Sequence, residues 1–150
     1  MKKAKMVLIL TTTVTGLVAG LFFAWTFSVT RGLANLSNSE YISAMQSLNK
    51  AIQNGVFFIC FFGAAILLPI SAFIHYQNPL STRFWYLLFA AIIYLAGVMG
   101  VTISGNIPLN QMLDNFNLHS ASLEEIAHQR AKFELPWNRL NNIRTITSEQ

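Results

Sequence analysis

Three long uncharged apolar runs occupy most of the first two thirds of the chain, Val7 to Val29, Val56 to Ile74 and Phe84 to Ile103, with polar stretches between them. An α-helix rises about 1.5 Å per residue, so runs of this length suffice for a hydrocarbon core of roughly 30 Å. The pattern predicts three transmembrane helices. Pro69 removes one backbone hydrogen bond and is expected to kink the second span near its end. Lys2, Lys3 and Lys5 resemble the basic leader of a signal peptide, but the apolar run is too long and lacks a small-x-small cleavage site. A retained first span is expected.

The remaining segments read as amphipathic helices. Asn38 to Asn54 carries Tyr41, Met45, Leu48 and Ile52 at helical spacing, with Ser37 or Ser39 available as its cap, and is expected near the membrane surface or as an extension of the second span. Pro108 disfavours helical geometry at Ile107, so Asn106-Ile-Pro-Leu-Asn110 is expected to end the third helix. Ser122-Leu-Glu-Glu125 has the form of a capping box and starts a new one, which Pro136 is expected to break or restart. From Phe133 to Ile146, Phe133, Trp137, Leu140 and Ile143 or Arg144 share one side, beside a polar stripe of Glu134, Asn138, Asn141 and Thr145. Arg139, Arg144 and the asparagines make that segment too costly to span a bilayer by itself. The fold class is therefore all-α: one membrane domain over 1–150, with spans at about 7–29, 56–74 and 84–103, an amphipathic C-terminal helix and a polar tail over 106–150. Small residues recur every fourth position at Gly16, Gly20, Ala24 and Ser28, and at Ala96, Gly100 and Ser104, and such faces are expected to pack inside a bundle.

Composition agrees: of 150 residues 53% are hydrophobic and 11% charged, a balance suited to lipid as the solvent. The net charge of +4 sits at the ends of apolar runs rather than in a basic face, which argues for a lipid bilayer and against nucleic acid as the partner. The single Cys60 lies within an apolar run, so it reads as a small hydrophobe without a disulfide partner in the chain. The basic leader argues for a cytoplasmic N-terminus in a bacterial inner membrane; three spans would then leave the basic tail outside, a conflict that a fourth span would resolve. Tyr76, Trp85 and Tyr86 fit an interfacial aromatic belt. His75, His119 and His128 show no paired-ligand spacing, so no metal is expected. Nucleotide-binding loops and nucleophile elbows are absent from the sequence. Transport ranks last, because no ionisable residue falls inside a span.

A set of short strings gives the chain a resemblance: Gly20-Leu-Phe-Phe-Ala-Trp25, Tyr41 through Met45-Gln46 to Asn49-Lys-Ala-Ile-Gln-Asn54, Phe61-Phe-Gly63, Val101-Thr102, Asn106-Ile-Pro-Leu-Asn110, Arg130-Ala-Lys-Phe-Glu134, Pro136-Trp-Asn138 and Asn141 to Arg144-Thr145. In this order they resemble the anthrone-oxygenase-like family of small membrane proteins, much of it a domain of unknown function. The resemblance implies a four-helix bundle whose last helix runs on into an apolar stretch. Here Ile146-Thr-Ser-Glu-Gln150 stands in its place, so a shortened last helix, a truncated product or completion by a partner such as a second copy is expected.

The implied chemistry is oxidation of a lipophilic aromatic ketone by dioxygen through a delocalised carbanion, with no cofactor. Glu134 would be the base and Arg144 its catalytic companion, with Arg144, Asn106 and Asn110 as candidate donors to the oxyanion; Asn49, Asn106, Asn110, Asn138 and Asn141 would surround the substrate, with Trp25 and Trp137 stacking on it. The alternative is a non-catalytic membrane protein that binds a hydrophobic ligand or a partner subunit.

Overall fold

The computed structural model describes residues 2–76 and 81–149, all helices and short connections. Five helices follow in order: α1 Lys2–Ala34, α2 Asn38–Ile52, α3 Gly55–Ile74, α4 Thr82–Asp114 and α5 Leu123–Ser148. Helices α1, α3 and α4 are long and apolar enough to cross a membrane. Their outward faces carry Leu17, Ile59, Phe73 and Phe89 in the open, a surface that suits lipid and would associate in water.

Helices α1, α3, α4 and the second half of α5 pack side by side, and α2 lies across one end of the group. Two apolar cores result. The first joins α1, α3 and α4 through Val18, Phe22, Phe61, Leu68, Tyr94 and Val98. The second, under α2, gathers Trp25, Leu33, Tyr41, Met45, Leu113, Phe133 and Trp137. Buried hydroxyls bind the spans to one another: Thr11 and Ser71 share a hydrogen bond of 2.7 Å, and the Tyr94 hydroxyl donates to the Phe61 carbonyl at 2.9 Å. Such contacts supply cohesion where lipid offers no hydrophobic drive for association.

Both serine caps are present. Ser37 accepts from the Glu40 backbone and Ser122 from the Glu125 backbone, while each glutamate accepts in return from the capping serine's N–H. Of the two candidate caps for α2, Ser37 is the one used. Hydrogen bonds from the Ser37 side chain, then its backbone, hold the Glu40 carboxyl below its ordinary range; the Ser122 backbone, then its side chain, does the same for Glu125. A depressed folded value means that the stabilisation is complete above the unfolded glutamate value of about 4.3 and is lost as pH falls through the depressed values. The first turns of α2 and α5 are therefore expected to fray in acid. Amide exchange should show it, and Glu125→Gln should make the first turn of α5 insensitive to that titration.

Three expectations require correction. Pro108 does not end the third helix: α4 runs on to Asp114 because π-helical turns at Tyr94–Gly100 and Thr102–Asn106 widen the helix just before the proline and take up its clash with the preceding turn. Pro136 neither breaks nor restarts α5, since it stands on the exposed face, where the carbonyl that loses its donor is not buried. The stripe Gly16, Gly20, Ala24 and Ser28 is exposed along its whole length, and a Cβ on Gly16 or Gly20 would meet nothing within 4 Å. Close approach occurs elsewhere, where Gly97 of α4 faces Thr147 of α5 and Gly105 faces Leu140.

Candidate functional site

A cavity of about 280 Å³ lies where the two cores meet. Phe22 and Trp25 of α1, Asn49 of α2, Phe57 and Phe61 of α3, a face of α4, and Trp137 and Arg144 of α5 line it. A larger hollow of about 530 Å³ between α1 and α4 is a weaker candidate, because the hydroxyls of Thr11, Thr12 and Thr15 that line it are all bonded to carbonyls of their own helix.

Continuation of α4 past Pro108 shapes the polar wall of the cavity. Thr102, Asn106, Asn110 and Asp114 fall every fourth residue, a spacing that puts them on one helix face, and all four line the cavity. Two are occupied: Thr102 accepts from Arg144 at 3.5 Å, and Asn110 accepts from the Trp137 indole at 2.8 Å. The other two are not. Both side-chain polar atoms of Asn106, which is 1% exposed, are buried without a partner, as is Oδ1 of Asp114. Asn49 Nδ2 and Arg144 Nε share that condition. A buried polar group left unpaired costs about 1–3 kcal/mol, so several around one largely apolar void call for partners that its occupant brings.

Arg144 is 7% exposed. It donates to Asn141 Oδ1 at 2.8 Å, and its guanidinium stands 4.5 Å from the centre of the Phe22 ring and 5.4 Å from that of Trp137. Asn141 in turn donates to Thr26 at 2.8 Å, and Thr145 donates to the Phe22 carbonyl at 3.1 Å, which ties α5 to α1 and fixes the arginine's height. Among the described residues the one ion pair is Arg130–Glu134, so Arg144 has no carboxylate partner. The lining is also aromatic: Trp25 and Trp137 lie 5.1 Å apart, tilted by 51°, rather than parallel. Several lining residues are exposed, Phe62 and Ile103 at 47% and 57%, together with Gln53 and Gln111.

Of the residues singled out from sequence, Trp25, Asn49, Asn106, Asn110, Trp137 and Arg144 line this cavity, whereas Glu134, Asn138 and Asn141 do not. Asn141 supports Arg144 from behind. Asn138 Oδ1 is buried and unpartnered but lies off the lining. Glu134 is engaged elsewhere: it accepts from Arg130 Nε at 2.7 Å, and Arg130 also donates to the Leu36 and Ala34 carbonyls at the end of α1. The Arg130 guanidinium covers the Tyr41 ring at 4.4 Å, and burial of that phenol pushes its pKa up. The pair thus clamps α5 to α1 and α2. Thr102 and Asp114 join the lining without having been expected from sequence; their four-residue offset from Asn106 and Asn110 is the signal, which a helix ending at Pro108 conceals. No group of three or more metal-ligating side chains occurs among the described residues.

The fold and site define a small helical protein with span-capable helices and an aromatic-lined cavity furnished with polar groups. A family model, anthrone oxygenase, matches residues 57–148, more than half of the chain, and the protein belongs to that family. No curated protein and no solved structure matches it.

Proposed function

We propose that this chain is an integral membrane oxidoreductase that uses dioxygen to oxidise a lipophilic, flat aromatic ketone held in the α4–α5 cavity. The observation that carries the reading is Arg144, a buried cation with no carboxylate partner beside an apolar void. A buried charge without compensation is costly, and a ligand that becomes anionic offsets that cost. Loss of a proton from a methylene opposite a ring ketone makes such an anion, with the charge delocalised onto the ketone oxygen. Arg144 and Asn106 supply donors for that oxygen, and donors placed before the charge develops lower the barrier to forming it. The carbanion then reacts with dioxygen. In the overall balance one methylene and one dioxygen give one carbonyl and one water.

Exposed lining residues on α3 and α4 include the apolar Phe58, Phe62, Ile103 and Ile107, which supports entry of the substrate sideways from the bilayer. In the same reading the chain sits in an inner membrane with Lys2, Lys3 and Lys5 on the cytoplasmic side. Oxygen uptake by purified protein in lipid nanodiscs, with anthrone as the probe, tests the proposal. Stoichiometric formation of anthraquinone above an empty-nanodisc blank is expected. Anthraquinone binding without any oxidation of anthrone would instead make this a ligand-binding member of the family.

A further inference from the structure

Resting on the oxidation chemistry just proposed, we infer that Asp114, rather than Glu134, is the group that takes the methylene proton. Asp114 is the one carboxylate on the cavity lining, and its Oδ1 is buried there without a hydrogen-bond partner. Local structure gives it no other employment. It stands at the C-terminal end of α4, where the helix dipole disfavours negative charge, and Gln46 already satisfies the terminal carbonyls of Leu113 and Phe116 at 2.8 and 3.0 Å. It has no cationic partner, the one ion pair among the described residues being Arg130–Glu134. A carboxylate kept at an unfavourable helix end, unpaired and on the cavity lining, is explained by what enters the cavity.

Position completes the case. Asn106 and Asp114 lie on the same face of α4, about two turns or roughly 12 Å apart along the axis. Side chains reaching inward from those two levels would bracket a flat ring system, with a donor at its ketone end and a proton acceptor at its methylene end. In the step assigned to Asp114, its carboxylate oxygen takes one methylene proton. The C–H electron pair passes into the ring system and onto the ketone oxygen. That pair then forms the carbon–oxygen bond to dioxygen, and the peroxide anion takes the first proton back from Asp114 to give the hydroperoxide. Loss of the second methylene proton with cleavage of the O–O bond leaves the new carbonyl and releases water.

Proton removal can be read without oxygen. Full-length protein in nanodiscs, incubated anaerobically with anthrone in deuterium oxide, is expected to speed deuterium incorporation at the methylene. Asp114→Asn should lose that acceleration by about 100-fold or more, while anthraquinone still quenches tryptophan fluorescence with parental affinity; Asp114→Glu should recover part of the rate. Exchange at the parental rate in Asp114→Asn would overturn the assignment and leave the oxidation reading intact, as would exchange that is lost in Glu134→Gln but kept in Asp114→Asn. Loss of anthraquinone binding in Asp114→Asn would also overturn it, in favour of a structural role. A parent that neither exchanges nor consumes oxygen would overturn the oxidation reading and remove the assignment with it.

Discussion

Replacing Arg144 by methionine is expected to abolish turnover while leaving the fold as stable as the parent or more so. The two halves of this expectation have separate causes. Methionine has nearly the length of the arginine stem and no charge, so it fills the space between Phe22 and Trp137 and removes a buried cation that has no carboxylate partner. Exchanging a buried charge for a packed apolar side chain is often neutral or stabilising by about 1–4 kcal/mol. The opposing cost is the Asn141 carbonyl oxygen, which loses its donor at 2.8 Å, about 1–3 kcal/mol if no other partner takes over. Catalysis has no such offset. Removal of a preorganised donor to an oxyanion typically costs about 100- to 1000-fold in rate. Thermal unfolding in nanodiscs, set beside anthrone oxidation, checks both halves. A variant that unfolds many degrees earlier would make Arg144 a structural residue and would withdraw the principal support for the proposed chemistry.

The second large effect is expected at Gly97. A Cβ built there would fall 2.5 Å from Thr147 Cγ2 and 2.6 Å from its Cβ, and a β-branched side chain in a helix has little freedom to turn away. Gly97→Leu should therefore push the last turns of α5 away from α4. Overpacking of this kind costs about 1–3 kcal/mol before any loss of neighbouring contacts. Arg144 and Trp137 ride on the same helix, so ligand binding should fall together with stability. At Gly105 the nearest atom is Leu140 Cδ1 at 2.7 Å, the mobile end of a longer side chain, so Gly105→Ala should cost less. Gly16→Ala, with nothing within 4 Å, should be neutral or slightly stabilising through helix propensity. Thermal shifts across the three variants test the order. Equal effects at Gly16 and Gly97 would contradict the α4–α5 contact.

The same pairing of helices explains what sequence reading could not reach on α5. Between Ile143 and Arg144, hydrophobicity favours the isoleucine as the inward residue. The structure has the reverse, with Ile143 43% exposed and Arg144 buried. In a bundle that faces lipid, the outside accepts isoleucine readily and the inside is where polar groups find partners, so the ordinary ranking inverts. Asn141 and Thr145, read as an adjacent polar stripe, are buried for the same reason. Glu134 drew notice as a carboxylate within a family string, yet its partner Arg130 is four residues away on the same helix, a spacing that pairs such side chains locally.

What the chain determines by itself is one-dimensional: the three apolar lengths, the serine-glutamate capping boxes at Ser37 and Ser122, and the ordered strings that mark the family. Each depends on neighbours within a few residues or on total run length, and so is legible before folding. Tertiary structure alone decided that α4 passes through Pro108, which puts Thr102 and Asp114 in line with Asn106 and Asn110. It also decided that the close helix approach falls at Gly97 and Gly105 rather than along the glycines of α1, and that Arg144 rather than Ile143 turns inward. The reason is common to all three. Which face of a helix is inside depends on the angle at which its neighbours arrive, and residues far away in the chain set that angle.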